Sequence, residues 1–416
     1  MLHKEILKTF KRKGNLVFPD YKKYCLSNLP STAIKILGGK TGRPVIPVKH
    51  KSEKLVFFLF DGFGFNQWAG FDHPVRRAFE KVGDVFPITT VFPSTTAAAM
   101  TSLHTGLTPQ EHGLLEWYLY FKEIDMMIMT LPFASEFEPK RFKKSNADPK
   151  ILLDAGTVYQ KTKMRGIKPY VFIGKDIAKG AYSDLAFKGA VVVGYKNLND
   201  LFNKLKRKIL ASGRAYYFVY WPEIDAFSHH KGPFAKEVLK RKIRLFNKLQ
   251  AFFKNIDKET AEKTTILMSA DHGQIGVDPS RTVYLNGYGW LEMALKKNEN
   301  GRVIEPYGLP RDVFLQIKKE KIPEVKQKLE GLGYNVLLTK EAIKTGLFGI
   351  GRPSKRFLER AGDLLVLPKK NGMVWYKHNK KEVVNFLGIH GGLTKDEMVI
   401  PFAVANMHEL SKKLKS

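Results

Sequence analysis

The sequence predicts an α/β fold, with a mainly parallel central sheet, helices on both faces and a small α+β cap insertion. Three observations point there. Strand-length apolar runs recur at 55–60 (LVFFLF), 215–221 (AYYFVYW) and 264–268 (TTILM); runs without an alternating polar face are buried on both sides, as in a parallel sheet. Segments with apolar residues at 3–4 spacing, 197–212 and 234–256, separate such runs and give the β/α order of crossover connections. The runs deliver acids, histidines or hydroxyls directly after the strand, and ligands in open α/β sheets gather outside the carboxyl ends of strands.

Residues 1–50 form a lead-in that closes on the Gly/Pro/Lys-rich stretch GGKTGRPVIPVKHKSEK. Gly38 to Gly42 lack the spacing of a phosphate-binding P-loop, so that stretch is a plain loop. The core occupies 51–279 and 386–416. It opens on the strand 55–60, which stops at Asp61-Gly62-Phe63-Gly64. Strands are also expected at 170–173 and 190–193, and late in the chain at 398–404. Between the two parts of the core, 280–385 breaks the rhythm. A strand at 311–318, a helix at 322–332 and a strand at 334–338 make it the insertion, expected to cap the active-site face.

Length and composition bound the function. A chain of 416 residues, 44% hydrophobic and 12% aromatic, has a substantial core, which excludes global disorder. Seventy Lys+Arg against 40 Asp+Glu give +30, a balance that favours anionic partners such as nucleotides, nucleic acid or a membrane surface, unless it is only a solvated basic surface. The single cysteine, Cys25, excludes an intrachain disulfide and a Cys-rich zinc site, and suits a reducing, cytoplasmic setting. No run of 18 apolar residues exists, so no transmembrane helix is expected. The first 18 residues lack the continuous apolar segment of a secretory signal; the spacing of Leu2, Ile6 and Phe10 suits a short helix against the core, with a basic amphipathic helix on a membrane surface as the alternative.

The stretch 91–113 (VFPSTTAAAMTSLHTGLTPQEHG) reads as strand, turn and helix, with Ser94, Thr95 and Thr96 ahead of the helix-forming Ala97 to Met100. A hydroxyl there either caps the helix or serves as a nucleophile where first-turn N–H groups and the positive helix end favour a phosphoryl group. Metal ligands nearby would decide for the second. Asp225 and His229 are four apart, one helical turn; Asp271-His272 follow the strand 264–268, and His390-Gly391 precede the last one. Asp and His are zinc ligands, usually four per ion, and catalytic sites keep a position open.

Those motifs, in that order, closely resemble the type I phosphodiesterase and nucleotide pyrophosphatase branch of the alkaline phosphatase superfamily, over residues 54–275 and 386–405. The resemblance implies an alkaline-phosphatase-like fold and two divalent ions, zinc with manganese as the alternative. It implies that Asp61, Thr96, Asp271 and His272 hold one ion and that Asp225, His229 and His390 hold the other. The family's four-residue spacing from the aspartate selects His229 over His230. Matching Phe92-Pro93 and Thr105-Gly106 puts Thr96 at the nucleophile position. Two positions depart from the pattern. Thr95 stands where nucleotide pyrophosphatases often carry Lys, and Ala99 where they carry an Asn that binds a phosphoryl oxygen.

The resemblance therefore implies a phosphoryl-transfer hydrolase, a phosphodiesterase or nucleotide pyrophosphatase, that attacks an anionic phosphate-ester small molecule through a phosphothreonine. Ser94 and Thr95 are alternative nucleophiles. A phosphomonoesterase, a phosphonate hydrolase and a phosphomutase remain rivals on the same scaffold, and a basic nucleic-acid-binding protein is a rival from another class, without a nucleic-acid motif to support it. The aromatic residues Trp117, Tyr118, Tyr120 and Phe121 either stack a base or belong to the core.

Overall fold

The computed structural model describes residues 2–416, with side chains from Glu5 onward. Eleven strands matter for the site: β1 (Lys54–Phe60), β2 (Asp84–Thr89), β3 (Lys168–Gly174), β4 (Val191–Tyr195), β5 (Ala215–Trp221) and β6 (Thr264–Ser269) of the main sheet, β7 (Tyr307–Leu309), β8 (Asp312–Leu315), β9 (Asn335–Leu338) and β10 (Leu364–Leu367) of a second sheet, and β11 (Val399–Asn406), which returns to the first.

The main sheet has the order β2-β11-β6-β1-β5-β3-β4. Strand β11 runs antiparallel to both its neighbours, β2 and β6, and the other pairings are parallel. The three expected apolar runs, β1, β5 and β6, are contiguous at its centre and buried along their whole length. Edge strand β4 has outward residues, Val191 and Val192, in solvent, as expected of a strand with one neighbour. Helices Leu198–Ala211 and Lys236–Lys254 turn Leu201, Phe202, Leu205 and Ile209, and Leu245, Phe246, Leu249 and Phe253, to the core. Phe58 meets Phe253 edge-on at 6.3 Å and Phe71 meets Phe246 at 4.8 Å. Each such side chain contributes roughly 1.5–3 kcal/mol by leaving water.

Register explains where the site lies. Phe60 pairs with Trp221 across β1 and β5, and Leu59 pairs with Ser269 across β1 and β6. The loops that begin at Asp61, Pro222 and Ala270 therefore leave three adjacent strands at one level. Because β11 is antiparallel, its first residue, Val399, lies at that same end, opposite Thr89. The loop before it, with His390, reaches the site from the direction a parallel strand could not provide.

Residues 307–367 build an antiparallel sheet of order β7-β8-β10-β9. Its two faces divide by strand alternation. Phe314, Leu365 and Leu367 join the main core, whereas Val313, Leu315, Leu364, Val366 and Val336 form a second core with Val325 and Leu329 of helix Ile322–Gly331. The expected strands at 311–318 and 334–338 are β8 and β9, both shorter. Strands β7 and β10 escaped the sequence reading, since three or four residues interrupted by Gly308 or following a glycine-aspartate turn carry little periodic signal. Helix Leu2–Thr9 packs with Ile6 and Phe10 in the core; the side chain of Leu2 lies outside the described residues. Among the described residues, no helix is long and apolar enough to cross a membrane.

Candidate active site

Thr95 and Thr96 stand on either side of the helix start, and their hydroxyls have different surroundings. Thr95 is the N-cap of helix Thr96–Thr105: its backbone is extended and its Oγ1 accepts from the Ala98 N–H at 3.4 Å. Thr96 is the first helical residue, and its hydroxyl donates to His272 Nε2 at 3.1 Å. Ser94 Oγ donates to the Gly392 carbonyl at 2.8 Å and Thr95 Oγ1 to the Leu115 carbonyl at 2.9 Å, so those hydroxyls face backbone. Thr96 is the hydroxyl of the three that faces the acids and histidines.

The seven residues named from the sequence converge. His272 Nε2 lies 3.5 Å from Asp61 Oδ1 and 3.4 Å from Asp271 Oδ2. His229 Nε2 lies 3.1 Å from Asp225 Oδ2, and His390 Nε2 lies 3.7 Å from Asp225 Oδ1. The rings of His272 and His390 stack at 3.6 Å and 18°. Donor atoms of Asp61, Asp271 and His272 lie within 4.8 Å of one another, as do those of Asp225, His272 and His390. His272 thus belongs to both groups, and His229 joins the second through Asp225, so the geometry divides the ligands less sharply than the family pattern does. His230, the rival of His229, is exposed.

Each of the three imidazoles is oriented in the same way. Nδ1 of His229 faces the Gly388 carbonyl at 2.8 Å, Nδ1 of His272 the Gly273 carbonyl at 3.1 Å, and Nδ1 of His390 the Ser94 carbonyl at 3.0 Å. A carbonyl can only accept, so Nδ1 carries the proton and the Nε2 lone pair is turned inward, the arrangement that fixes a metal-ligating histidine. Two inward carboxylate oxygens, Asp61 Oδ1 and Asp271 Oδ2, are buried without a donor. Their partner oxygens are held: Tyr220 donates its hydroxyl to Asp61 Oδ2, and Asp271 Oδ1 accepts from the N–H groups of Gly62 at 3.0 Å and His272 at 2.9 Å. Buried polar atoms are ordinarily satisfied. Lone pairs and anionic oxygens aimed at common points fit divalent cations.

The electrostatics agree with that fit. Burial pushes Asp271 up to about 6 and, with the charges of Asp271 and Asp225, holds Asp61 well above the usual carboxylate range. Burial alone would raise Asp225 too, but the surrounding histidines, His229 first, pull it below that range. Burial lowers His272 to about 4 and His390 to about 3, which keeps both neutral and able to ligate.

Some supporting residues had no signal in the sequence. Tyr220 hides in an apolar strand, and Gln274, whose Nε2 donates to Asp225 Oδ1, follows the Asp-His-Gly motif without a pattern of its own. The aromatic residues after Gly113 divide: Phe121 and the ring of Tyr120 are core, and the hydroxyls of Tyr118 and Tyr120 donate to Glu136 at 2.6 Å and Asp125 at 2.7 Å. Ala99 is wholly buried, so its position gives no polar group to a substrate.

Residues 55–393 match the family model described as type I phosphodiesterase / nucleotide pyrophosphatase. Human ectonucleotide pyrophosphatase/phosphodiesterase family member 1 is 23% identical over 256 residues, which cover 59% of this chain; the match spans about a quarter of that relative, 26% of its length. Among solved structures, murine ectonucleotide pyrophosphatase/phosphodiesterase 5, an inactive variant in complex with AMP, superposes with a TM-score of 0.62 at 16% identity, over 84% of this chain and 87% of that one. Phosphonoacetate hydrolase from Sinorhizobium meliloti, in complex with phosphonoformate, gives 0.58 at 17% identity over 86% and 94%. At these identities the structural matches establish the shared fold.

Proposed function

The chain belongs to the type I phosphodiesterase / nucleotide pyrophosphatase family, and on that premise we propose that it is a metal-dependent hydrolase that cleaves a small anionic phosphodiester or nucleotide with Thr96 as nucleophile. The observation that carries this reading is the meeting of the Thr96 hydroxyl, at a helix N-terminus, with inward imidazole Nε2 atoms and two buried carboxylate oxygens that lack donors. The nucleotide and phosphonate ligands of the structural relatives are consistent with it.

Asp61, Asp271, His272 and Thr96 on one side, and Asp225, His229 and His390 on the other, would hold two divalent ions, zinc by donor type with manganese as the alternative. When bound, such ions supply charge stabilisation for the attacking and leaving oxygens. The remaining chemistry belongs to the chain. Thr96 gives up its hydroxyl proton to solvent, and its Oγ1 forms a bond to phosphorus as the bond to the leaving oxygen breaks; that oxygen takes a proton from solvent and departs as the free hydroxyl compound, and the phosphoryl group passes to the threonine. Water then cleaves the phosphothreonine and returns the proton to Oγ1. First-turn N–H groups of helix Thr96–Thr105 not taken by the Thr95 cap would serve the phosphoryl oxygens in place of a side chain at Ala99.

A diester preference follows from charge. A monoester dianion needs cationic donors around its additional charged oxygen. The stretch 91–113 has no Arg or Lys, and the nearby buried Arg311 is committed to Glu397 through a two-pronged pair at 2.9 and 3.0 Å. The ratio kcat/KM for an aryl phosphodiester should exceed that of the matching monoester by at least about tenfold. A panel of nitrophenyl diester, monoester and phosphonate substrates, run with zinc and with manganese, measures it. A monoester preference of that size rejects the diesterase reading and leaves the threonine chemistry standing.

A further inference from the structure

Beside the nucleophile turn two acids are buried against each other. Glu116 follows the loop out of helix Thr96–Thr105, Asp312 opens β8 of the second sheet, and both are 0% exposed. Their carboxyl groups are in hydrogen-bonding contact. Glu116 Oε2 accepts from the Trp117 N–H at 2.8 Å, but Glu116 Oε1 and both oxygens of Asp312 have no other donor. Two ionised carboxylates cannot remain in such contact away from water. The other ionisable groups that face the pair are Arg311 and Glu397, which neutralise each other in their own bidentate bridge.

We propose that Glu116 and Asp312 share one proton, with Asp312 as the donor and Glu116 as the carboxylate, and that this pair is a positioning latch between the second sheet and the nucleophile turn. The asymmetry follows from the partners: Glu116 has a backbone donor to stabilise its charge and Asp312 has none. The pair touches both loops that carry the reaction. Glu116 contacts the hydroxyl of Thr95, the cap of the nucleophile helix. Asp312 Oδ1 lies so close to Gly391 that a Cβ there would collide with it, and Gly391 is bound to Ser94 through its N–H at 3.1 Å and its carbonyl at 3.3 Å. The same residues flank Thr96 and His390. Gly391 has φ of 123°, which itself favours glycine.

Burial raises Asp312, the proton donor of the pair, and the negative charge of Glu116 raises it further. The folded pKa of this one shared proton lies above the unfolded value of roughly 4, so its contribution is complete below that value and is lost as pH rises through the raised one. No proton leaves the pair during turnover; it moves only when the medium becomes alkaline.

The test uses the zinc-loaded full chain and three variants. In Asp312→Asn the amide N–H donates to Glu116 without needing a shared proton; Asp312→Ala leaves Glu116 buried and unpaired; Glu116→Gln reverses the roles, its amide N–H donating to an ionised Asp312 that has no backbone donor. Infrared difference spectra should show the carbonyl stretch of a protonated carboxylic acid at neutral pH, lost in Asp312→Asn. For an aryl phosphodiester, kcat of Asp312→Ala should fall by roughly ten- to a hundredfold with KM little changed, with Asp312→Asn restoring most of it. The alkaline fall in wild-type kcat and melting temperature should be absent from Asp312→Asn. No acid band at neutral pH, or an alkaline limb in Asp312→Asn identical to the wild type, overturns the proposal. So does the loss of a metal equivalent with Asp312→Asn, which would make the pair a cation site. The kinetic arm rests on the proposed diesterase activity, whereas the infrared and melting arms do not; a band and an alkaline melting slope in a protein that cleaves no diester would support the latch and reject the activity.

Discussion

Thr96→Ala is expected to abolish phosphoenzyme formation and to lower kcat for an aryl phosphodiester by at least about a thousandfold, the scale of losing a nucleophile. The hydroxyl of Thr96 is the one of three adjacent hydroxyls that points into the ligand cluster, 3.1 Å from His272 Nε2. Ser94 and Thr95 spend theirs on the carbonyls of Gly392 and Leu115. Thr95→Ala should therefore cost stability, about 1 kcal/mol for a lost helix cap, and leave the phosphoenzyme in place. Acid quench and mass measurement of the peptide that contains residues 94–96 reads the intermediate, while metal content and melting temperature verify that the Thr96 variant is folded and loaded. Thr96→Ser, which keeps the oxygen and removes a methyl group, should retain the covalent intermediate. Full activity in Thr96→Ala would move the role to a neighbour and leave the reading of this turn wrong.

Exhaustive chelation should remove activity, and zinc should restore it near neutral pH. Asp271→Asn should lose metal content and lower kcat by at least about a hundredfold, since even a partner of a ligand is worth ten- to a hundredfold. Its Oδ1 is held by two backbone N–H groups, so the asparagine keeps its place, but it turns a neutral amide toward the cluster where a carboxylate oxygen without a donor stood. The pH dependence has a definite sign. Asp271 is pushed up to about 6 by burial, and Asp61 lies higher still than an ordinary carboxylate. Metal must displace those protons, so uptake should release protons and strengthen as pH rises through about 6, and acidification should empty the site. Titration calorimetry in buffers of different ionisation enthalpy counts the protons released. Undiminished turnover with metal analysis showing empty sites would reject the metal-dependent mechanism.

The amino-acid sequence by itself determined the α/β class and marked out the candidate acids and histidines, because both depend on local features, while the choice of Thr96 among three hydroxyls and of His229 over His230 rested on the family resemblance. A doubly buried strand must be apolar along its length, so 55–60, 215–221 and 264–268 announce themselves, and the acids, histidines and hydroxyls stand within a few residues of the strand ends that aim them. Tertiary structure decided what depends on pairing between distant segments. Register across β1, β5 and β6 starts the segments that carry Asp61, Asp225 and Asp271 at one level, and the antiparallel direction of β11 delivers His390 to the same end. The division of labour between Thr95 and Thr96 rests on a helix beginning one residue earlier or later, which composition alone does not fix. The place of His272 in both donor groups, the supporting contacts of Tyr220 and Gln274, and the union of Glu116 with Asp312, 196 positions away, have no periodic signature: an apolar strand tyrosine and an isolated acid look ordinary until the fold removes water from around them, and only that desolvation turns their hydrogen bonds and charges into constraints on the site.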